Sequence, residues 1–175
     1  RTGTMFACEQ ASITPDFLCL SKGLSGGYLP LSVVLTTPTV FQAFYHDKTS
    51  QAFLHSHSHS GNALACRAAL ATLDLFEQNN AIETNRSKTN YLNQLSHPLQ
   101  SHPKVKNFRN CGMIWAFEVI TDDTAFTNTF FKKALEKKLL LRPLGNTVYF
   151  MPPYIINEEE MDWLVKSVVH ILDTF

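Results

Sequence analysis

Residues 16–37 read DFLCLSKGLSGGYLPLSVVLTT. "DFLCLSK" (16–22) is a short apolar run ending at a lysine, and "LSVVLTT" (31–37) is rich in β-branched residues. The pattern predicts two buried strands joined by a glycine-rich turn. Lys22 stands at the end of the first strand, with Gly23, Gly26 and Gly27 behind it, where backbone and ligand can approach closely. A lysine held there, desolvated beside other cations, is a candidate Schiff-base amine. On spacing alone, the competing reading is an exposed loop lysine.

Working outward, Leu64, Ala65, Ala68, Ala69, Leu73 and Phe76 recur at helical spacing after Asn62, and a polar helix over about 81–96 ends at Pro98. This helix pair would link two domains, residues 1–75 and residues 76–175. In the second, "CGMIWAFEVI" (111–120) reads as a strand, 124–138 as a helix, and "LLLR" (139–142) and "TVYFM" (147–151) as strands. "MPPYII" (151–156) carries a double proline that no central strand accepts. The last helix is marked by Asn157 as its cap, Glu160 at the capping-box position, and an apolar stripe of Met161, Leu164, Val165, Val168, Val169 and Leu172. A small α+β domain is expected there.

Composition narrows the function class. The 175 residues are 45% hydrophobic and 17% charged, which is globular rather than disordered. Fifteen Lys plus Arg balance fifteen Asp plus Glu, so no net field draws nucleic acid or a membrane surface. No apolar run reaches the roughly 20 residues that span a bilayer, and no leader pattern opens the chain. A soluble, cytoplasmic protein is expected. Cys8, Cys19, Cys66 and Cys111 lack CxxC spacing, which argues for buried free thiols over a zinc ribbon or a disulfide framework. The opening Arg1-Thr2-Gly3 suggests a piece of something longer.

"LHSHSHSGN" (54–62) alternates three histidines with three serines. In an extended segment His55, His57 and His59 share one face, and in a helix His55 and His59 are i, i+4, so a metal site is conceivable. Metal sites, however, usually take carboxylate or thiolate partners or outer acceptors, and the nearest acids are Asp47 and Asp74. Ser56, Ser58 and Ser60 instead place hydroxyl donors just ahead of a helix start, an arrangement suited to a phosphate. A small metal-binding or interaction domain built on this tract is the competing reading from another class.

Three stretches together, "RTGTMFACE", "PDFLCLSKGLSGGYLPLSVVLTT" and "HSHSHSGNALACRAALATL", resemble in order the second half of a class III, fold-type I aminotransferase that uses pyridoxal 5'-phosphate. The resemblance covers essentially the whole chain. It implies an α/β fold: the end of the large domain's mainly parallel sheet plus a small α+β C-terminal domain. It also implies a homodimer with small-molecule substrates and an active site at the subunit interface. By the same resemblance Lys22 is the catalytic lysine that bonds the cofactor and moves a proton. Ser58 takes the place of a threonine whose hydroxyl binds the cofactor phosphate of the neighbouring subunit, and His57 would add a backbone N–H. Arg142 matches an arginine that pairs with a substrate carboxylate, a role suited to its planar two-pronged donor. Tyr149, Gly23 and Arg1 match substrate-side positions. "LLLRPLGNTVYFMPPYII" (139–156) resembles one member of the family more closely than the members that use ornithine, 4-aminobutyrate or other amines.

The sequence also departs from the family pattern. Ser58 replaces threonine, His59 an aromatic residue, Ala63 a common proline, and Trp115 a frequent glycine. The family's aspartate against the pyridine nitrogen, its ring-stacking aromatic and its phosphate-binding turn would all precede Arg1. Without the aspartate the cofactor ring loses its electron-sink partner, so these 175 residues alone are expected to be inactive.

Overall fold

The two apolar runs around the glycine-rich turn form β1 (Phe17–Leu20) and β2 (Val33–Thr36), paired antiparallel with Phe17 opposite Thr36 and Leu20 opposite Val33. The Asp16 carbonyl accepts from both Thr36 Oγ1 and the Thr37 N–H and closes the open end of the pair. This computed structural model describes residues 1–175, which divide by contact into an N-terminal unit, Ala7–Ala81, and a C-terminal unit, Ile82–Phe175 with Arg1–Phe6. The division falls inside neither strand region, six residues beyond position 75, and Arg1–Phe6 group with the C-terminal residues.

In the N-terminal unit, α1 (Ala7–Gln10) precedes the strand pair and α2 (Pro38–Phe44) follows it. Pro38 opens α2, and the Thr37 hydroxyl accepts from the Val40 N–H, an N-cap that spares an otherwise orphaned donor. α3 (Ala63–Gln78) starts at Asn62, whose Oδ1 accepts from the N–H groups of Leu64 and Ala65. The strands are not buried as expected: Phe17 is 58% and Val34 62% exposed. A two-stranded ribbon has two faces and two edges, and this unit covers one face only in part. Every strand pair in the chain is antiparallel, so the parallel portion of the expected sheet is not among these residues.

The C-terminal unit holds the core. It takes in α4 (Ala81–Leu95) from its second residue, then the short α5 (His97–Gln100), with Pro98 in the first turn of the new helix rather than in the old one. β3 (Val105–Cys111), β4 (Ile114–Val119) and β5 (Thr147–Phe150) form an antiparallel sheet in that order. β3 is not foreseen from sequence. A bulge between Lys106 and Arg109, with Asn107 at φ 52°, breaks its alternation. "LLLR" is not a strand. Leu139 and Leu141 are buried and Leu140 is 70% exposed, which mimics strand alternation, yet the only pairing nearby is the Leu144–Thr147 bridge.

α6 (Phe126–Glu136) and α7 (Glu158–Asp173) complete the unit. Asn157 and Glu160 form the reciprocal capping box, worth about 1 kcal/mol. Met161, Leu164, Val165, Val168 and Leu172 are buried, with Ile171 added and Val169 only partly covered. Each fully buried aliphatic side chain contributes roughly 1.5–3 kcal/mol. Trp115 is fully buried, stacks on Phe150 with ring centroids 5.6 Å apart, and donates from Nε1 to Asn93 Oδ1 of α4 at 2.7 Å. The bulky departure at this position therefore serves as a core residue with its polar edge satisfied. At the β3–β4 turn Gly112 has φ 55°, and a Cβ added there would lie 2.4 Å from the Arg1 carbonyl oxygen. Only glycine lets the Arg1–Gly3 backbone lie this close, where the Arg1 carbonyl accepts from the Met113 N–H at 2.7 Å.

The cysteines form no disulfide. Cys8 is half-buried, and Cys19, Cys66 and Cys111 are exposed, against the expectation of buried thiols. Three of the four belong to the thinly covered N-terminal unit. No helix is long and apolar enough to cross a membrane.

Candidate active site

In the N-terminal unit, Lys22 begins a 3-10 turn, Lys22–Ser25, directly after β1. Its φ is 52°, a left-handed conformation costing a non-glycine residue roughly 1–2 kcal/mol. Such strain persists only where surroundings impose it, and it clusters at functional positions. The side chain is exposed rather than desolvated, and its ammonium makes no hydrogen bond or ion pair within the chain. Gly23 is exposed too, with open space where a Cβ would stand.

The His-Ser tract forms an exposed loop ending in a tight turn. The His57 carbonyl accepts from the Ser60 N–H at 2.9 Å, and the His57 N–H donates to Ser60 Oγ at 3.1 Å. His57 Nδ1 accepts from the His59 N–H at 3.1 Å. His57 thus shapes the turn with groups that are already engaged. The hydroxyls of Ser56 and Ser58 make no hydrogen bond within the chain and face solvent. Because Asn62 takes the amides of Leu64 and Ala65, the free donors at this end of α3 are chiefly serine hydroxyls rather than helix N–H groups. The His57 and His59 ring centroids are 6.1 Å apart, and no three His, Cys, Asp or Glu side chains converge on a common point.

In the C-terminal unit, Arg142 is exposed on the irregular stretch before β5 and makes no ion pair within the chain. Tyr149 lies on β5 opposite Ala116, half-buried, on the face away from the buried Val148 and Phe150. The Arg1 guanidinium donates from Nη1 to the Pro152 carbonyl and lies 5.2 Å from the centre of the Tyr154 ring. Arg1 is therefore tied to the "MPPY" stretch by a hydrogen bond and a cation–π contact. Lys88 Nζ donates to the Tyr154 carbonyl at 2.5 Å, a second tether on the same stretch. Neither tether was foreseen, since each joins residues far apart in sequence.

The donors are of three kinds. Lys22 is an unpartnered primary amine on a left-handed turn residue, a backbone feature it shares with Lys138, a loop presents unpartnered hydroxyls, and an unpaired guanidinium stands ahead of β5. The amine can bond a carbonyl carbon, the hydroxyls can bind an anion, and the guanidinium can grip a carboxylate in two-pronged fashion.

Comparison with known proteins gives these features a context. The family model described as Aminotransferase class-III matches residues 1–172. A protein of Helicobacter pylori named adenosylmethionine-8-amino-7-oxononanoate aminotransferase is 52% identical over 99% of this chain and 41% of its own length. The crystal structure of the protein of that name from Methanocaldococcus jannaschii superposes with a TM-score of 0.88 at 33% identity, covering 99% of this chain and 43% of that one. An omega transaminase from Pseudomonas jessenii, solved in complex with PMP, gives a TM-score of 0.86 at 29% identity over 99% of this chain and 41% of that one. The chain spans about two fifths of the length of the curated relatives it matches.

Proposed function

Because the chain belongs to the class-III aminotransferase family, we propose that it is part of an enzyme that transfers an amino group from S-adenosyl-L-methionine to 8-amino-7-oxononanoate. The product is 7,8-diaminononanoate, a precursor in biotin biosynthesis. The observation that carries this reading is the 52% identity, over nearly the whole chain, to a protein named for that reaction.

The residues present fit pyridoxal 5'-phosphate: Lys22 offers the amine that its aldehyde requires, and Ser58 a hydroxyl for its phosphate. When bound, that cofactor supplies an electron sink for the carbon that loses its proton. Lys22 Nζ would hold the cofactor through its aldehyde carbon and, as a free amine, would move the proton at the substrate carbon. Ser58 binds the phosphate through its hydroxyl, and His57 keeps the loop in register by clasping Ser60. Gly23 leaves room for the substrate beside Lys22. Arg142 pairs with the acceptor's carboxylate, Tyr149 offers a phenol beside it, and Arg1 frames the substrate side through the "MPPY" stretch. The enzyme acts as a cytoplasmic homodimer in which Ser58 serves the neighbouring subunit's cofactor.

Borohydride reduction of the full-length protein with pyridoxal 5'-phosphate, followed by peptide mapping, tests the assignment of Lys22. A pyridoxyl group on Lys22 is the expected result, and an unmodified Lys22 in folded protein overturns it. Donor and acceptor profiling then tests the substrates. Turnover of ornithine or 4-aminobutyrate in preference to S-adenosyl-L-methionine would move the protein to another branch of the family.

A further inference from the structure

Ser25 is 2% exposed and is the one fully buried residue between Arg1 and Leu64. Its surroundings are otherwise open, so its burial asks for an explanation. The Ser25 hydroxyl donates to the Leu29 carbonyl at 2.5 Å, and the Ser25 carbonyl accepts from the Tyr28 N–H at 3.1 Å. Ser21 Oγ donates to the Leu31 carbonyl at 3.1 Å, which ties the two ends of the same loop. Gly26 follows at φ 61°, and a Cβ added there would stand 3.2 Å from Thr72 Oγ1. Thr72 shares a face of α3 with the buried Ala65 and Ala69, at positions i, i+4 and i+7. The turn is thus seated on a strip of small side chains and locked behind by a buried hydroxyl.

Taking Lys22 as the reactive amine of the reading above, we propose that Ser25 is a positioning residue for it. Lys22 and Ser25 are the two ends of one 3-10 turn, and Lys22 holds a left-handed backbone that nothing in its own side chain stabilises. The Ser25 hydroxyl fixes the far end of the turn, and the Gly26–Thr72 contact fixes its height on α3. Together they hold the strained residue and so the direction of its Nζ. The residue touches neither substrate nor cofactor.

The test uses the full-length protein and three variants: Ser25→Ala, Gly26→Ala, and Gly26→Ala combined with Thr72→Ala. Steady-state kinetics, borohydride trapping at Lys22 and thermal unfolding are measured on each. A displaced reactive group typically loses rate rather than binding, so Ser25→Ala is expected to lower kcat about 10- to 100-fold with KM nearly unchanged. Trapping at Lys22 should slow in parallel while the protein stays folded at the assay temperature. Gly26→Ala should lose kcat through both its left-handed φ and the close approach to Thr72, and Thr72→Ala should restore only the share that the approach causes. A kcat held within about threefold in Ser25→Ala would overturn the proposal, since that loss is far smaller than misplacement causes. Loss of kcat only in step with loss of folded protein would overturn it as well. If Ser25→Ala does not fold, the Gly26 and Thr72 pair decides, and an absence of restoration counts against the seat on α3. An unlabelled Lys22 in the unaltered protein overturns both this inference and the function on which it rests.

Discussion

The C-terminal unit buries Trp115, Phe117, Phe130, Met161 and Leu172 completely, whereas the N-terminal unit buries only Ser25, Ala65 and Ala69. The thinly covered unit nevertheless carries Lys22 and the serine loop. One part of the chain devotes its side chains to a self-sufficient core, and the other presents unpartnered polar groups on a small, partly strained scaffold. If the proposed site is right, stability and chemistry should respond to different substitutions. Loops bearing reactive groups need a fixed frame more than a large core of their own.

The sharpest way to break this division is Lys22→Ala in the full-length protein. Steady-state assays should show at least about a 10⁴-fold loss of transamination, because the proposed function gives this one residue the parts of both nucleophile and proton shuttle. The unfolding temperature should hardly move, since the side chain is exposed and makes no hydrogen bond or ion pair within the chain. A large drop in stability would show that the separation is false. The converse change is Trp115→Ala, expected to cost about 3–5 kcal/mol in denaturant unfolding through the lost ring volume and the orphaned Asn93 carbonyl. A cost below about 1 kcal/mol would mean the site collapses without loss, contrary to a tightly packed core.

Much of this contrast was legible in residues whose signals are local. α3 and α7 announce themselves by a 3.6-residue period, α7 also by its Asn157 cap, and both begin directly after Asn62 and Asn157 as read from sequence. The lysine after an apolar run and the serine-rich loop were also readable, because each is a contiguous stretch. What escaped depended on partners distant in sequence. β3 hides behind the bulge at Asn107, and "LLLR" shows strand alternation while lacking a strand to pair with. Alternation reports which side faces the core and is silent on whether a ladder exists. The exposure of Cys19 and Cys66 was missed for a related reason: an apolar run states a preference for burial, and only neighbouring layers can satisfy it, whereas the exposed-loop reading of Lys22 from spacing alone is the one its side chain follows. Ser25 gave no signal at all, since a serine among glycines reads as an ordinary loop.

Smaller effects sharpen the contrast within the C-terminal unit. Gly112→Ala should cost about 2 kcal/mol from its left-handed φ and the clash with the Arg1 carbonyl. Hydrogen exchange at the Met113 amide should accelerate as Arg1–Gly3 lifts away, and an unchanged exchange rate would contradict the contact. Asn157→Ala removes half of the capping box and is expected to lower stability by about 1 kcal/mol in thermal or urea unfolding. No measurable change would show that α7 is held by its apolar stripe alone.

Both tryptophans of the chain, Trp115 and Trp163, belong to the C-terminal unit. Trp115 is sealed in the core and Trp163 is 42% exposed, so their emission colours should differ. Tryptophan-selective fluorescence is consequently a one-sided reporter in these residues. It follows the melting of the packed unit directly and carries no intrinsic probe in the unit that bears the lysine, whose loosening has to be watched by other light, such as that absorbed by its tyrosines, Tyr28 and Tyr45.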